Sequence, residues 1–365
     1  MRIRRGAPDF AIILSVMLLI SIGIIMVFSS SAVTSQQTLG DPYYFLKKQA
    51  LWAVLGTIAM YITSHFDYFR LKRIANPIFY ICLLFLVIVL IIGSSSKGAT
   101  RWLGIGSLSF QPSETIKLAM VIFLSKILSK KHGQIKSFSK GVLPVLGIMA
   151  LVCVLIMGQP DLGTAIVVAG TTVLLLMAAG AKFGHLFLIA LAGVGAVGLL
   201  ILVEPYRMER FIAFLNPWAD PTDTGFQTIQ SLLALGSGGL FGVGLGASRQ
   251  KLYYLPEKHT DFIYAIIGEE LGFLGGMLIL LLFIIFAWRG LKTALGAPDN
   301  FGSLLAAGIT IMITFQAIIN IGVVTGSLPV TGITLPFISY GGSSLLITMA
   351  SVGVLLNISR FSSSK

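Results

Sequence analysis

Residues 255–272 read LPEKHTDFIYAIIGEELG, a charged segment that runs without a spacer into an apolar helix. Asp261 stands at the boundary between the two parts. A carboxylate placed where a transmembrane helix meets water is costly to keep, so it is a functional-site hypothesis by default. We therefore interpret Asp261 as the candidate catalytic residue, which the rest of the chain presents to a membrane-bound substrate.

The composition of the chain indicates an integral membrane protein. Of its 365 residues, 56% are hydrophobic and 11% are charged, whereas soluble domains carry about 25% charged residues. About 20 apolar residues suffice to cross a bilayer, and we predict an all-α polytopic bundle of about ten transmembrane helices. It forms one domain over residues 1–365. The predicted spans are 10–32, 46–64, 76–93, 114–129, 141–158, 164–180, 185–205, 261–288, 303–325 and 343–358.

The basic residues predict the orientation of this bundle. Their clusters between spans all fall on one side, which makes that side cytoplasmic. The clusters are Arg2/Arg4/Arg5, Arg70/Lys72/Arg73, the lysines of 126–140, Lys182, Arg289/Lys292 and Arg360. We expect a multi-pass protein of the cytoplasmic (inner) membrane with both termini inside. Because the cations of this chain of net charge +12 lie in such clusters, nucleic acid is disfavoured as a partner.

The longest segment outside the predicted spans is an extracytoplasmic loop at about 208–260, between the seventh and eighth spans. Within it, FQTIQSLLALG has the pattern of a short interfacial helix. Loops of this length are usually functional or disordered, and this one is too apolar for disorder. Most acids of the chain and many cations fall on the same outer side, which indicates chemistry or binding there.

A simpler role for Asp261 also fits the sequence. Thr260 has the character of an N-cap, so Asp261 could be a first-turn acid that interacts with the helix dipole. Capping does not explain why Glu257, Lys258 and His259 cluster just before it. At about 100° per residue, residues 268 and 272, both glycine, share the face of Asp261 and leave room for a neighbouring helix or a ligand.

Two further outer helix starts carry polar residues. In FQPSETIKLAM, Glu114 and Lys117 are spaced i, i+3 on one helix face. A buried structural ion pair and a substrate contact both fit this spacing. Gln159, Pro160 and Asp161 repeat the Gln-Pro-polar opening at a later helix start, with the same two interpretations.

Several outer cations are candidates for binding phosphate, because guanidinium geometry suits oxyanions. They are Arg101 (beside Trp102), Arg207, Arg210, Arg249 and Lys258. Attraction to anionic lipid headgroups is the alternative. The segment 328–344, LPVTGITLPFISYGGSS, interrupts two spans with prolines and glycines. Non-helical backbone at membrane depth is tolerated where it is buried or lines a cavity, so we predict that it forms one wall of the site.

Four motifs together resemble one known family. Residues 216–272 closely resemble the SEDS proteins of shape, elongation, division and sporulation, and FQPSE at 110–114, GQPDLGT at 158–164 and the segment 328–344 match the same family. The resemblance spans nearly the whole chain. Within the family, the sequence is most similar to the FtsW and SpoVE branch.

The resemblance implies a ten-helix peptidoglycan glycosyltransferase. Such an enzyme polymerises lipid II, an undecaprenyl-diphosphate-linked disaccharide peptide, at the outer face of the cytoplasmic membrane and works with a class B penicillin-binding protein. The catalytic aspartate of the family falls on Asp261. Its acidic residue in the QPSE motif falls on Glu114, and Lys117 follows in the same helix.

The residues suggest a mechanism for this reaction. Asp261 would accept the proton of the acceptor 4-hydroxyl, while cations, with or without a divalent ion (Mg²⁺ or Mn²⁺), stabilise the departing diphosphate. No organic cofactor is expected. Two alternatives remain open: a lipid II flippase, favoured by Glu269 and Glu270 about 12 Å below Asp261, and a non-enzymatic scaffold for a penicillin-binding protein.

Overall fold

The computed structural model describes residues 6–96, 99–105, 108–130, 133–252 and 255–362. Within these ranges the chain is a helical bundle. Its α-helices are α1 Phe10–Leu39, α2 Tyr44–His65, α3 Tyr68–Ile92, α4 Pro112–Lys130, α5 Leu143–Met157, α6 Leu162–Ala178, α7 Phe183–Val203, α8 Pro205–Leu215, α9 Phe226–Ser237, α10 Ile263–Gly296, α11 Asn300–Val324 and α12 Gly342–Ser359. The all-α membrane bundle predicted from the sequence is confirmed.

Each predicted span overlaps one helix, from α1 to α7 and from α10 to α12. In the described part of the chain, seven helices are long and apolar enough to cross a membrane by length and hydropathy, with α5 counted together with the π-helical turn Phe138–Val142 that precedes it. The apolar helix α6 is shorter, at 17 residues. The remaining two, α2 and α4, carry charged side chains in their first turns, and those of α4 are buried within the bundle.

The helices differ in how much of their surface they bury. Most of α11 and α12 is buried, whereas α7 buries only Leu186. α12 packs closely on α2, because a side chain at Gly353 would lie 2.3 Å from the carbonyl oxygen of Met60. The hydroxyl of Thr63 donates to the carbonyl of Ala350 at 2.9 Å across the same contact. The most deeply buried helices are therefore α4, α11 and α12.

Both ends of the described chain lie at the same end of the bundle. The amide of Gly6 donates to the carbonyl of Arg360 at 2.8 Å, and Arg289 Nε at the inner end of α10 donates to Asp9 Oδ2 at 2.9 Å. Asp9 also caps the N-terminus of α1. That this end is cytoplasmic stays a prediction. The Arg2/Arg4/Arg5 cluster and Lys131 lie outside the described residues.

A small antiparallel sheet connects α3 to α4, and the sequence analysis did not predict it. Its strands, β1 Ser94–Ser96, β2 Ala99–Ile105 and β3 Leu108–Phe110, are paired in chain order. In the second pair Leu103 faces Phe110. The sheet brings Arg101 and Trp102 to the outer end of the bundle.

The predicted loop at 208–260 contains α8, a single 3₁₀ turn at Pro217–Ala219 and α9, the helix expected in FQTIQSLLALG. After α9 the chain turns into the bundle, and residues 238–251, here called the re-entrant segment, run beside α10. Gly272 interrupts α10 with φ 69° and ψ −167°. There, Phe273 N donates to Gly239 O at 2.8 Å and Val243 N donates to Glu269 O at 2.9 Å. Glu270 is seven residues into α10, so this re-entrant segment penetrates about 10 Å below the start of the helix.

Candidate active site

A cavity of about 800 Å³ opens at the end of the bundle opposite the termini. This volume lies within the range of about 300–1,000 Å³ that is typical of ligand sites. Its lining residues come from the outer ends of the helices: the first part of α2, α4, α6 and α12, the last part of α7, and α8. In α6 the innermost lining residue is Val167, five residues after Leu162, so the cavity reaches about 8 Å along this helix.

Asp261 lines this cavity from the turn that precedes α10. The carbonyl of Glu257 accepts the amides of Thr260 at 3.1 Å and Phe262 at 3.2 Å, which closes the turn. The structure corrects the expectation that Thr260 caps the helix. The helix begins two residues after Asp261, at Ile263, and the Thr260 hydroxyl donates to Glu257 Oε2 at 2.8 Å.

The backbone of Asp261 is held by the segment that follows α11. Asn320 Nδ2 donates to Asp261 O at 2.8 Å and to Ile333 O at 2.6 Å, and Ser339 Oγ donates to Thr260 O at 2.6 Å. Gly332 has φ +74°, and a side chain there would lie 3.6 Å from Asp261 Oδ2. The segment 328–344 therefore forms one wall of the cavity directly beside the carboxylate, as predicted.

Glu114 and Lys117 also line the cavity, and both are buried. Lys117 Nζ lies 2.9 Å from Glu114 Oε1 and donates to Gln316 Oε1 at 2.7 Å. Gln316 in turn donates to the carbonyl of Thr334 at 3.0 Å. Among the described residues, Glu114 Oε2 has no hydrogen-bond partner. The pair is therefore both a structural ion pair and part of the cavity floor.

The two Gln-Pro-polar motifs meet on one side of the cavity. Asp161 caps α6: its Oδ1 accepts the Thr164 amide at 3.1 Å, and its Oδ2 accepts the Thr164 hydroxyl at 2.9 Å and Gln111 Nε2 at 3.4 Å. Arg101 Nε donates to the carbonyl of Gln159 at 3.1 Å, and its NH2 group donates to that of Pro160. β2 and the start of α6 are thereby fixed to each other.

Helix α8 contributes two arginines to the opposite side. Arg210 NH1 donates to Val330 O at 3.2 Å, and its guanidinium lies 4.4 Å from the ring centre of Tyr206. Arg207 NH1 donates to Leu200 O at 3.2 Å. Each guanidinium keeps further N–H groups for an oxyanion. Together with Trp102 and Glu257, these residues complete the predicted set that does line the cavity.

Three predicted residues do not line it. Arg249 is exposed beside the inner part of the re-entrant segment, where its amide donates to Glu269 Oε1 at 2.8 Å. Lys258 is buried, and its ammonium donates to the carbonyl of Lys251. Burial lowers the pKa of Lys258, and the charge of Lys251 lowers it further. His259 packs between the rings of Phe45 and Tyr340, with centroids at 4.6 and 5.7 Å.

The cavity also contains polar residues that the sequence analysis did not select. They include Lys48, Trp52, Gln111, Glu204, Gln227 and Tyr340. Lys48 could have been selected from the sequence, because a lysine on the predicted outer side is an exception to the positive-inside rule that was used to orient the bundle. Its Nζ lies 2.6 Å from the hydroxyl of Tyr44.

The side chains available as metal ligands limit how a metal ion could be bound. In the described part of the chain no group of three His, Cys, Asp or Glu side chains converges. Mg²⁺ is commonly bound by one or two carboxylates together with substrate phosphates. Asp261 and Glu257, which both line the cavity, offer that number of carboxylates.

Comparison with known proteins gives a consistent result. The sequence model of the FtsW/RodA/SpoVE family, described as cell cycle protein, matches residues 10–364. Stage V sporulation protein E of Bacillus subtilis (strain 168) is 50% identical over 364 residues, which cover 99% of this chain and 100% of that protein. A probable peptidoglycan glycosyltransferase FtsW of Geobacter sp. (strain M18) is 43% identical and covers 96% of each chain.

The fold is also similar to a solved structure. A chain in a structure described as "structural coordination of polymerization and crosslinking by a peptidoglycan synthase complex" superposes with a TM-score of 0.81. The two sequences are 31% identical, and the match covers 98% of this chain and 99% of that one.

Proposed function

The chain belongs to the FtsW/RodA/SpoVE family of cell cycle proteins, and on that premise we propose that it is a peptidoglycan glycosyltransferase of cell division or sporulation. Its relatives named as probable peptidoglycan glycosyltransferases are 43% identical over nearly their whole length. The substrate we propose is lipid II. The observation that supports this best is the placement of Asp261 in a cavity that also receives several cations.

In the proposed reaction Asp261 is the general base. As the acceptor 4-hydroxyl attacks the anomeric carbon of the donor sugar, its proton passes to the Asp261 carboxylate. The bond from that carbon to the diphosphate breaks on the opposite side, so the configuration inverts. Because diphosphate leaves readily, a second carboxylate acting as an acid is not required, in contrast to glycoside hydrolases.

The cations of the cavity would bind the diphosphate. Arg207 and Arg210 on α8 and Lys48 on α2 approach the cavity from different walls and keep donors for phosphate oxygens. A bound Mg²⁺ or Mn²⁺ would add positive charge at the diphosphate. Glu114 and Lys117 would form the floor beneath the sugar, with the Glu114 oxygen that has no partner among the described residues buried below the cavity surface.

The membrane placement and the partner are part of the same proposal. The basic inner end supports a cytoplasmic position of the termini, which puts the cavity at the outer face of the cytoplasmic membrane. A class B penicillin-binding protein is the proposed partner, supported by the similarity to a chain of a peptidoglycan synthase complex.

A flippase is less well supported. That function requires polar groups that continue through the bundle, and Glu269 and Glu270 were the residues that suggested such a path. Neither lines the cavity, and both are buried in contacts with the re-entrant segment. The lining residue furthest along its helix is Trp52, eight residues or about 12 Å after the start of α2, so the lining does not reach the opposite end of the bundle.

The test is polymerisation of lipid II by the purified full-length protein in the absence of any partner. General bases contribute about 10²–10⁴-fold, so Asp261→Asn should lose at least about 100-fold in rate while still binding lipid II. Asp41→Asn is the matched control, because this acid pairs with exposed Lys47 away from the cavity. Activity of Asp261→Asn at the wild-type rate would refute the base. Polymerisation that requires an added penicillin-binding protein and persists in Asp261→Asn would favour the scaffold alternative, and a parallel EDTA series tests for metal.

A further inference from the structure

A second charged cluster lies behind the cavity and has no part in the reaction proposed above. Glu269, Glu270, Lys251 and Ser248 are all at least nine-tenths buried, and none of them lines the cavity. Buried charges are unfavourable unless they are paired and hydrogen-bonded. Three such charges in one place in a membrane bundle are a functional-site hypothesis by default.

The two glutamates bind the returning part of the re-entrant segment. Glu269 Oε1 accepts the amides of Arg249 at 2.8 Å and Gln250 at 3.4 Å, and Oε2 accepts the hydroxyl of Ser248. Glu270 Oε1 lies 2.7 Å from Lys251 Nζ. One side of α10 therefore fixes four consecutive residues, 248–251.

The same cluster reaches α1. The hydroxyl of Ser29 lies 2.8 and 2.6 Å from the two oxygens of Glu270, and Lys251 Nζ donates to Ser29 Oγ at 3.2 Å. The Lys251–Glu270 pair is thus set into a three-way junction of α1, α10 and the re-entrant segment. Lys251 has little freedom to move without breaking it.

Lys251 is also connected to the turn that carries Asp261. Its carbonyl accepts the buried ammonium of Lys258, three residues before Asp261. The Glu257 carbonyl then closes the turn through the amides of Thr260 and Phe262. The inner side of this turn is therefore anchored at Lys251, while Asn320 anchors its other side.

We infer that the Lys251–Glu270 ion pair is a positioning device for Asp261, acting through the contact from Lys258 to the Lys251 carbonyl. This inference rests on the proposed role of Asp261 as the base. A misplacement of about 1 Å at a reacting group can cost about 100-fold in rate. The pair keeps the carboxylate at the height where it meets the acceptor hydroxyl.

The test compares single and double replacements in the full-length protein. Lys251→Met and Glu270→Gln each leave a buried charge without its partner, so both should lower the melting temperature and kcat for lipid II polymerisation. The double variant Lys251→Met/Glu270→Gln leaves no unpaired charge and should recover stability, because a neutral pair is often tolerated where a broken pair is not. Its kcat should nevertheless remain about 10- to 100-fold below wild type, with KM for lipid II changed less than about threefold.

Two additional measurements distinguish positioning from folding and from failure of the base. Hydrogen exchange of the amides of 257–263 should be faster in the double variant than in wild type, since the turn loses its inner anchor. Asp9→Asn breaks the ion pair to Arg289 at the other end of α10 and should change neither kcat nor this exchange. A double variant with wild-type kcat and wild-type exchange would overturn the inference. Full activity of Asp261→Asn would instead overturn the proposed base.

Discussion

Asp261 and Glu270 are nine residues apart in the chain, and both are carboxylates within a membrane bundle, yet their surroundings are opposite. Asp261 is half-buried and borders a cavity of about 800 Å³ that receives cations from several helices. Glu270 is fully buried and bound by Lys251 and Ser29. Asp261 is accessible to a molecule in the cavity, whereas Glu270 is enclosed by protein groups, so depth in the bundle alone does not distinguish a candidate catalytic acid from a structural one.

The glycines near these acids support the same distinction. A side chain at Gly238 would lie 1.9 Å from the carbonyl of Gly268, and one at Gly242 would lie 2.1 Å from that of Glu270. The space that the sequence analysis expected beneath Asp261, beside Gly268 and Gly272, is therefore filled by the re-entrant segment. Of the two occupants considered, it is a neighbouring part of the chain and not a ligand.

The largest effect on stability is expected at the Glu114–Lys117 pair, which is buried as Glu270 is and lines the cavity as Asp261 does. Lys117→Met leaves the Glu114 carboxylate and the Gln316 amide oxygen buried without their donor. The cost should be about 3–5 kcal/mol of unfolding free energy, measured by thermal unfolding in detergent. Lys48→Met is the control: this cation also lines the cavity but is only half-buried, so its loss should lower the rate of polymerisation with little change in stability. Equal stability of the two variants would contradict the assignment of Lys117 to the floor.

A smaller effect is expected at Asn320, which binds the backbone carbonyl of Asp261 beside the cavity. Asn320→Leu removes the donor from the carbonyls of Asp261 and Ile333. A buried acceptor without a partner costs about 1–3 kcal/mol, so the variant should unfold at a lower temperature and polymerise more slowly. Thr325→Val, at the exposed end of the same helix, should behave as wild type. Unchanged activity in Asn320→Leu would show that the backbone of Asp261 needs no such anchor.

Two substitutions of Asp161 distinguish a helix-capping role from a contact with the substrate. Asp161→Ala removes the cap of α6 and should cost about 1 kcal/mol, whereas Asp161→Asn keeps a side chain that caps equally well. If the residue only caps, Asp161→Asn should retain both the melting temperature and the rate of polymerisation. A loss of rate without a loss of stability in Asp161→Asn would instead place its charge in contact with the substrate.

The smallest effect is expected at the exposed pair of Lys47 and Asp41, whose atoms lie 2.8 Å apart outside the cavity. Exposed ion pairs contribute little because water screens them. Lys47→Met should change neither the melting temperature nor the rate of polymerisation. A clear loss of rate would extend the functional surface beyond the residues that line the cavity.

Much of this arrangement could be predicted from the sequence. Long apolar runs located the membrane helices, since the bilayer dictates their length. The polar residues next to helix starts on one predicted side were grouped as one site, and the structure does bring them into one cavity. They are Asp261, Glu114, Lys117 and the two arginines of α8. Helix starts that share a side of the membrane lie at the same height, so a pattern local in sequence is sufficient to group them.

The remaining features depend on contacts between distant parts of the chain. The apolar pattern of 261–288 continues through Gly272 and gives no sign of the interruption that the re-entrant segment fills. For the same reason Arg249 and Lys258 were predicted at the site, although the backbone of Arg249 is bound by Glu269 and the ammonium of Lys258 by the Lys251 carbonyl. Two of the three strands between α3 and α4 have only three residues each, fewer than the four to eight over which alternation of polar and apolar residues predicts a strand.

The most direct test that the cavity polymerises lipid II, and does not transfer it across the membrane, uses vesicles containing the purified protein. Fluorescent lipid II is placed in the leaflet that the cavity faces, and both polymer and movement between leaflets are measured. We expect polymer to accumulate in wild type and not in Asp261→Asn, with no movement of lipid II in either. Transfer of lipid II to the opposite leaflet without polymer would contradict the enzyme assignment.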